Sequence, residues 1–419
     1  MNHDQSYDAK KYNKRLMNNV VRMPMVVNAA SGPMIWDDHN NRLIDLWGDE
    51  GVASMGYASP FFKEAVQKFL DSNSPQRLPD VYPNQIRWNC AETICDRTGM
   101  DKIFFACTGT EANEAAIKLA RKYWWDQETT HANDFAPRRH QVLTIAGNFH
   151  GRTGLSMASG DFRVSPYHRH GFGPGCKGFG VLTDDTFDQV VTNAVEHEPQ
   201  QPEWDKVAAV ILAPILGNNC VKTYSEEFWT VLNDLRMQHG FLIIFDDVQA
   251  GNGRAGNFAT WQGVGLKPDI MTLAKGMAMG LPMSCMLANE QVAESFTPGV
   301  HFNTFGGTLM TCYLATRFYE WLDENLDWCN NNGKLIREHF VNSPAISEFD
   351  GSGMLNAFTP MYKGYDAYQF IAKARELGAS LVTHRKYGPI RFTPPMNTPW
   401  PVIEEALDIL DRTHAALAK

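Results

Sequence analysis

This 419-residue sequence predicts an α/β fold: a large domain on a mostly parallel central sheet flanked by helices, and a smaller α+β domain built from both termini. Three observations predict it. Short, continuously apolar runs recur through the middle of the chain. Helix-patterned segments alternate with some of them. The two ends carry different, mixed patterns. A strand buried on both faces reads as unbroken apolarity, the mark of a parallel sheet covered by helices. Strand and helix in alternation point to a layered α/β core.

In chain order, residues 32–47 (GPMIWDDHNNRLIDLW) read as a hairpin with an Asn-Asn turn. Runs 102–107 (KIFFAC), 141–146 (QVLTIA), 207–213 (VAAVILA), 241–245 (FLIIF) and 269–273 (DIMTL) read as buried strands, each ending at Gly, Pro, Asp or a polar turn. Residues 111–123 carry Ala112, Ala115, Ala116, Leu119 and Ala120 on one helical stripe, and 226–239 carry Phe228, Val231, Leu232 and Leu235. Beyond residue 330, helices are expected over 367–377 and 402–417, with a short strand at 391–393. The expected division is 1–60 and 311–419 for the small domain and 61–310 for the large one.

Composition excludes several classes. At 44% hydrophobic and 20% charged residues, the chain is ordinary for a packed protein and unlike a disordered one. Its net charge of −9 argues against a nucleic-acid or anionic-membrane surface. The first residues have no apolar core of a secretory signal, and no stretch approaches the roughly 20 apolar residues of a membrane span. The eight cysteines (90, 95, 107, 176, 220, 285, 312 and 329) form no CxxC pair, so reduced thiols in a cytoplasmic protein are expected. His168-Arg169-His170 lacks a third ligand at metal-site spacing and reads as a loop, so no metal is expected.

Four stations carry chemistry. Thr108-Gly109-Thr110-Glu111-Ala112-Asn113 follows a strand and opens a helix, which offers either an anion cradle or a plain helix cap. Asp246 ends a buried strand, where an acid faces the ligand crevice of an open sheet. It suits Mg²⁺, a ribose or a protonated ring nitrogen, or it simply caps the strand end. Lys275, just past another buried strand, is either a Schiff-base nucleophile of depressed pKa or a surface lysine at a turn. Phe149, again after a strand, either stacks on a planar cofactor or packs on the core. The four in one α/β unit make up the set that holds pyridoxal phosphate: a lysine for its aldehyde, an acid for its ring nitrogen and N–H groups for its phosphate.

With those residues in view, the chain resembles the class III (ornithine/acetylornithine-type) aminotransferases of fold type I. The likeness rests on TGTEANEAAIKLARKY, NFHGRTGLSMASG, FDDVQAGNGRAG, KPDIMTLAKGMAMGLP and NTFGGT, in family order and spacing. The resemblance implies that Lys275 is the Schiff-base lysine and Asp246 the partner of the pyridine nitrogen. It places Gln249 near the 3′ oxygen, Phe149 on the ring with His150 beside it, and Gly109 and Thr110 at the phosphate. Thr304 would reach the other subunit's phosphate, which implies a homodimer with shared active sites. Arg391 would bind a substrate carboxylate, and Tyr82 would lie near the substrate. An amino donor and a 2-oxo acid acceptor are the implied partners. A decarboxylase or aminomutase on the same scaffold is the alternative.

Departures from the family bear on substrate. Where relatives read EPxxGEGG, with a Glu that masks the arginine, this chain reads Ala213-Pro214-Ile215-Leu216-Gly217-Asn218-Asn219-Cys220. Asn218 in that place leaves Arg391 expected to be an unmasked carboxylate receptor. The GHxHP segment reads Gly56-Tyr57-Ala58-Ser59-Pro60, and Met277 and Met279 stand in the Gly-rich run after the lysine. Gly251-Asn252-Gly253-Arg254-Ala255-Gly256 spells GxGxxG, but it lies too far beyond its strand to be read as a dinucleotide site.

Overall fold

The computed structural model describes residues 15–17, 19, 23, 25–128, 138–161, 176–183, 187, 190–192, 200–217, 221–383 and 385–418. Near the N-terminus, β1 (Val27–Ser31), β2 (Met34–Asp37) and β3 (Arg42–Asp45) form an antiparallel meander. The β2–β3 turn is the expected Asn-Asn turn, with Asn40 in the left-handed region at φ +61°.

The central sheet is built from β4 (Lys102–Ala106), β5 (Gln141–Ile145), β6 (Phe179–Leu182), β7 (Val190–Thr192), β8 (Val207–Leu212), β11 (Leu242–Asp246), β12 (Ile270–Leu273) and β13 (Ser284–Ala288). Between β8 and β11, Ile215–Leu216 (β9) and Lys222–Thr223 (β10) pair as a separate ribbon. The order is β4-β13-β12-β11-β8-β5-β6-β7. From β12 through β6 every neighbour is parallel, β13 runs against both β4 and β12, and β7 runs against β6. Strands were expected where β4, β5, β8, β11 and β12 stand. Strands β6, β7 and β13 were not: FGVL and VVT are too short to separate from loop or helix by pattern, and SCMLA lacks both alternation and β-branched residues. Strands β8, β11 and β12 are buried along their whole length, which explains their unbroken apolarity.

Among the described residues the longer helices are α1 (Pro60–Asp71), α2 (Gln85–Thr98), α3 (Gly109–Glu128), α4 (Glu226–His239), α5 (Leu309–Asn342), α6 (Ala367–Glu376) and α7 (Trp400–Leu417). Helix α3 buries Ala112, Ala115, Ala116, Leu119 and Ala120 against the sheet; small side chains there bring its axis close to the strands. Helix α4 begins at Ser225, whose hydroxyl accepts the Phe228 N–H at 3.2 Å, and stops at Gly240 with φ +76°. The 34-residue helix α5 was not expected. Its mid-helix Gly333 reads as a breaker, yet a Cβ there would lie 1.9 Å from the Gly353 carbonyl oxygen, so glycine is what lets another backbone approach.

The C-terminal region adds β14 (Ile346–Ser352), β15 (Leu355–Pro360), β16 (Ala379–Ser380) and β17 (Ile390–Phe392). Strand β16 pairs in parallel with β3, which joins the two ends of the chain in one sheet. Among the described residues no helix is long and apolar enough to cross a membrane, and seven cysteines are free.

Candidate active site

The site lies where the parallel strands end. Strands β11 and β12 run in register, with Asp246 beside Thr272, so Asp246 and the Lys275 three residues further on leave the sheet at one edge. An open α/β sheet presents its ligand crevice at that carboxyl edge.

Asp246 is buried, with its polar partners supplied in full view. Its Oδ2 accepts from Asn113 Nδ2 at 2.8 Å and from His150 Nδ1 at 2.7 Å, and its Oδ1 accepts the Val248 N–H at 3.2 Å. Asn113 also donates to the His150 carbonyl at 2.8 Å and accepts from the Thr272 hydroxyl at 2.7 Å. His150 Nε2 lies 3.0 Å from the Thr144 hydroxyl. The carboxylate is thus held by residues from α3, β5, β12 and the loop after β5. Asn113 lies inside the TGTEAN segment, a position with no function evident from sequence alone. Its spacing, one turn into the helix that opens the cradle, was the available signal.

Next to Asp246 stands the fully buried Asp247, whose carboxyl is pushed up to about 6 by burial against the Thr260 hydrogen bonds that oppose it. The Thr260 N–H donates to it at 2.7 Å, which anchors the loop after β11.

Lys275 is half-buried and adopts φ +51°, a left-handed conformation that costs an L-residue about 1–2 kcal/mol. Its position is fixed from both sides. The Ala274 carbonyl accepts Asn252 Nδ2 at 2.9 Å, and the Gly276 carbonyl accepts the Ser54 hydroxyl at 2.7 Å. Burial lowers the lysine amine to about 8, against the nearby charges of Glu50, Asp246 and Asp49, which raise it; Arg391 lowers it further.

At the start of α3, Glu111 Oε2 accepts the Cys107 and Thr108 N–H groups at 3.1 and 2.8 Å. The N–H groups of Gly109 and Thr110 belong to the first helical turn and point off its end, where the helix dipole favours an anion. Gly109 packs so closely that a Cβ would lie 2.8 Å from Val248 Cγ1. The Thr110 hydroxyl lies 2.6 Å from that of Thr153 and crowds Gly151, where a Cβ would meet it at 2.4 Å. Phe149 is half-buried with the Arg152 guanidinium 5.9 Å from its ring centre. Gln249 donates to the Glu50 carbonyl at 3.3 Å and fills the space that a Gly217 side chain would need.

Arg391, on β17, is buried and ion-paired with Glu50. The expectation of an unmasked arginine is therefore corrected. The masking carboxylate comes from residue 50 rather than 218, because the fold brings the Gly48–Gly51 turn against the end of the Arg391 strand and an ion pair offsets the cost of burying the guanidinium. All four turn residues have positive φ: Gly48 +61°, Asp49 +50°, Glu50 +57° and Gly51 +88°. Nothing in the local sequence GDEG separates it from an ordinary loop. Tyr57, at the place of the family's first His, donates to Asp45 at 2.8 Å, and Asp45 in turn accepts the Gly48 N–H at 3.1 Å.

Other predicted residues stand apart. Thr304 is exposed, its carbonyl accepting from Arg77, and Tyr82 is also exposed. Among the described residues no hydrogen bond or ring contact joins either to the Asp246/Lys275 group. Asn218 and the His168-Arg169-His170 run lie outside the described residues. The GxGxxG run folds into consecutive turns without opening a helix.

The family profile for aminotransferase class-III matches residues 16–413. The acetylornithine aminotransferase of Aquifex aeolicus is 30% identical over 397 residues, covering 94% of this chain and 98% of its own. That of Caldanaerobacter subterraneus is 31% identical over 409 residues, covering 96% and 97%. Among solved structures, ornithine aminotransferase from Toxoplasma gondii superposes with a TM-score of 0.85 at 22% identity, covering 97% of this chain and 93% of its own; it is described with partial occupancy of PLP at its active site. Acetylornithine aminotransferase from Elizabethkingia anophelis gives 0.78 at 20%, covering 97% and 98%. At these identities the structural likeness establishes the fold, which is fold type I. These relatives are transaminases, and the decarboxylase and aminomutase alternatives find no support among them. The chain belongs to the class-III aminotransferases, pyridoxal-phosphate enzymes that move an amino group from an amino donor to a 2-oxo acid.

Proposed function

We propose that Lys275 and Asp246 carry the transamination and that Gly109, Thr110, Phe149, His150 and Gln249 hold the cofactor. The observation that carries this reading is the pairing of β11 with β12. It sets a buried carboxylate and a lysine of lowered pKa at one sheet edge, beside a helix start whose glycine excludes a side chain. Those residues fit pyridoxal phosphate group by group: the first-turn N–H groups suit its phosphate, Asp246 its ring nitrogen and Lys275 its aldehyde. When bound, the cofactor supplies an aldehyde that condenses with amines and a ring that withdraws electrons.

The protein's own residues do the rest. Asn113 and His150 hold Asp246 in one orientation, so its charge is pre-placed. The Lys275 amine, once released, sits where it takes a proton from the substrate carbon and returns it. Arg391 orients a substrate by its carboxylate. Thr304 and Tyr82 act at a homodimer's shared site. The division into 1–60 with 311–419, and 61–310, is proposed on the same footing and is supported by the β3/β16 pairing. Cytoplasmic residence is inferred from the free cysteines.

The test is a half-reaction screen. Purified yellow protein is mixed with single amines and amino acids while the lysine-bound absorbance is followed. Bleaching by at least one amine, reversed by a 2-oxo acid, is the expected result; no bleaching by any of them overturns the reading. A second outcome follows from the lysine. Its amine is neutral above about 8, so cofactor uptake by cofactor-free protein rises about tenfold per pH unit below that value and levels above it. Uptake measured by absorbance from pH 6 to 10 checks this, and a rise that continues unchanged to pH 10 contradicts it.

A further inference from the structure

The Gly251–Gly256 run, which spells GxGxxG, touches both the long helix α5 and the end of β12. Its turns are closed by backbone bonds: the Asn252 N–H donates to the Phe258 carbonyl at 3.0 Å and the Gly253 N–H to the Asn257 carbonyl at 3.1 Å. Arg254, which is buried, ties the run to the C-terminal region through the Pro394 carbonyl at 2.6 Å. Within this frame Asn252 is buried and left-handed at φ +56°, a conformation in which asparagine is enriched. Among the described residues its side chain has two hydrogen-bond partners. Its Nδ2 donates to the Ala274 carbonyl at 2.9 Å, and its Oδ1 accepts the Tyr319 hydroxyl at 2.7 Å. Chemistry fixes that orientation. A carbonyl only accepts, so the atom facing Ala274 has to be the amide nitrogen. Burial pushes the Tyr319 hydroxyl well above its ordinary value, so it keeps its proton and donates to the amide oxygen. Tyr319 is fully buried on α5, its ring stacked on Phe258 with 5.7 Å between centres.

We propose that Asn252 is a positioning residue of the transamination: its amide, aimed by the Tyr319 hydroxyl, holds the Ala274 carbonyl and thereby fixes the left-handed backbone from which the Lys275 amine works. This rests on the reading of Lys275 as the Schiff-base lysine. The carbonyl that Asn252 holds belongs to the peptide plane that carries the Lys275 nitrogen, so a rotation of that plane changes the φ of Lys275 directly. At φ +51° Lys275 is strained, and such a conformation persists only where its surroundings hold it. The Met277 N–H reaches the same carbonyl at a longer 3.4 Å, and the Ser54 hydroxyl acts further on, at the Gly276 carbonyl. Among the described residues Asn252 is therefore the side chain that holds this plane. The Tyr319 hydroxyl keeps the amide from turning over, since a reversed amide sets its oxygen against the Ala274 oxygen. The run that spells a dinucleotide motif is in this way a brace between α5 and the lysine.

Asn252→Asp keeps the shape and the acceptor for Tyr319 and replaces only the donor. In the cofactor-loaded enzyme at about pH 8, kcat is expected to fall about tenfold while KM for the amino donor stays within about twofold, because a small displacement of a reacting group costs rate. As the pH is lowered, kcat of this variant relative to the unsubstituted protein rises, since a protonated carboxyl donates to the Ala274 carbonyl as the amide did. The rate at which cofactor-free protein takes up pyridoxal phosphate, followed by absorbance, falls by a similar factor. Tyr319→Phe removes a single atom and is expected to lower kcat about threefold, but to change it by less than about 1.5-fold in an Asn252→Gly protein, where no amide is left to aim. Glycine keeps the left-handed turn without strain. Thermal unfolding checks that each variant is folded. The proposal is overturned by a kcat for Asn252→Asp within about twofold of the unsubstituted protein, by a relative kcat that does not change with pH, or by a Tyr319→Phe effect of the same size with and without the amide. The reading of Lys275 fails separately, through a Lys275→Ala protein that retains turnover.

Discussion

Lys275→Ala abolishes turnover, with kcat lowered by about 10⁴-fold or more, since positioned proton transfer alone contributes about 10²–10⁴. The purified variant is also expected to lack the yellow absorbance of lysine-bound cofactor. Both effects follow from position. Lys275 extends from the edge where β12 ends next to Asp246, and burial brings its amine down to about 8. A neutral amine near working pH is both nucleophile and base, which an exposed lysine is not. Overall folding is expected to persist, because Lys275 forms no ion pair among the described residues and its backbone is held through Ala274 and Gly276. Alanine keeps the left-handed strain at this position, so stability changes little. Steady-state kinetics, an absorbance spectrum and thermal unfolding measure all three effects, and turnover within tenfold of the unsubstituted protein sinks the assignment.

The second large effect is expected at Asp246. Asp246→Asn keeps volume while removing the charge, and it is expected to lower kcat by about 10²–10³-fold, the usual cost of losing one pre-placed electrostatic group. Asp246→Ala adds a stability loss. Asn113 Nδ2 and His150 Nδ1 both point at Oδ2, at 2.8 and 2.7 Å, and both lose that acceptor inside the protein. A buried donor left without its partner costs about 1–3 kcal/mol, so the alanine variant unfolds at a lower temperature than the asparagine variant. A kcat for Asp246→Asn within about twofold of the unsubstituted protein contradicts the role of the charge.

Strands β8, β11 and β12 were legible in the sequence because both of their faces are buried, so all but Asp246 and Thr272 are apolar and the ends are marked by polar turns. Helix α4 was legible from its apolar stripe, and Ser225 and Gly240 close it at both ends. Helix α5 was hidden, because Gly333 breaks its pattern for a reason that exists only in space: the backbone at Gly353 lies against it. Strand β13 was hidden because SCMLA has neither alternation nor β-branched residues.

The same division runs through the site. The sequence by itself determined the stations: an acid and a lysine at the ends of buried strands, a glycine opening a helix, an aromatic after a strand. Each depends on a few neighbouring residues, and local pattern encodes such short-range relations. Only the tertiary structure decided what each station touches. Asn113 meets Asp246 across 133 positions, and Glu50 meets Arg391 across 341. The family pattern placed a masking carboxylate near residue 218, and the fold supplies it from residue 50 instead. An ion pair offsets the cost of burying a guanidinium, but that cost does not dictate which segment brings the anion. That choice is made by how the Gly48–Gly51 turn packs between the Arg391 strand and the Lys275 loop, a relation that chain order does not contain.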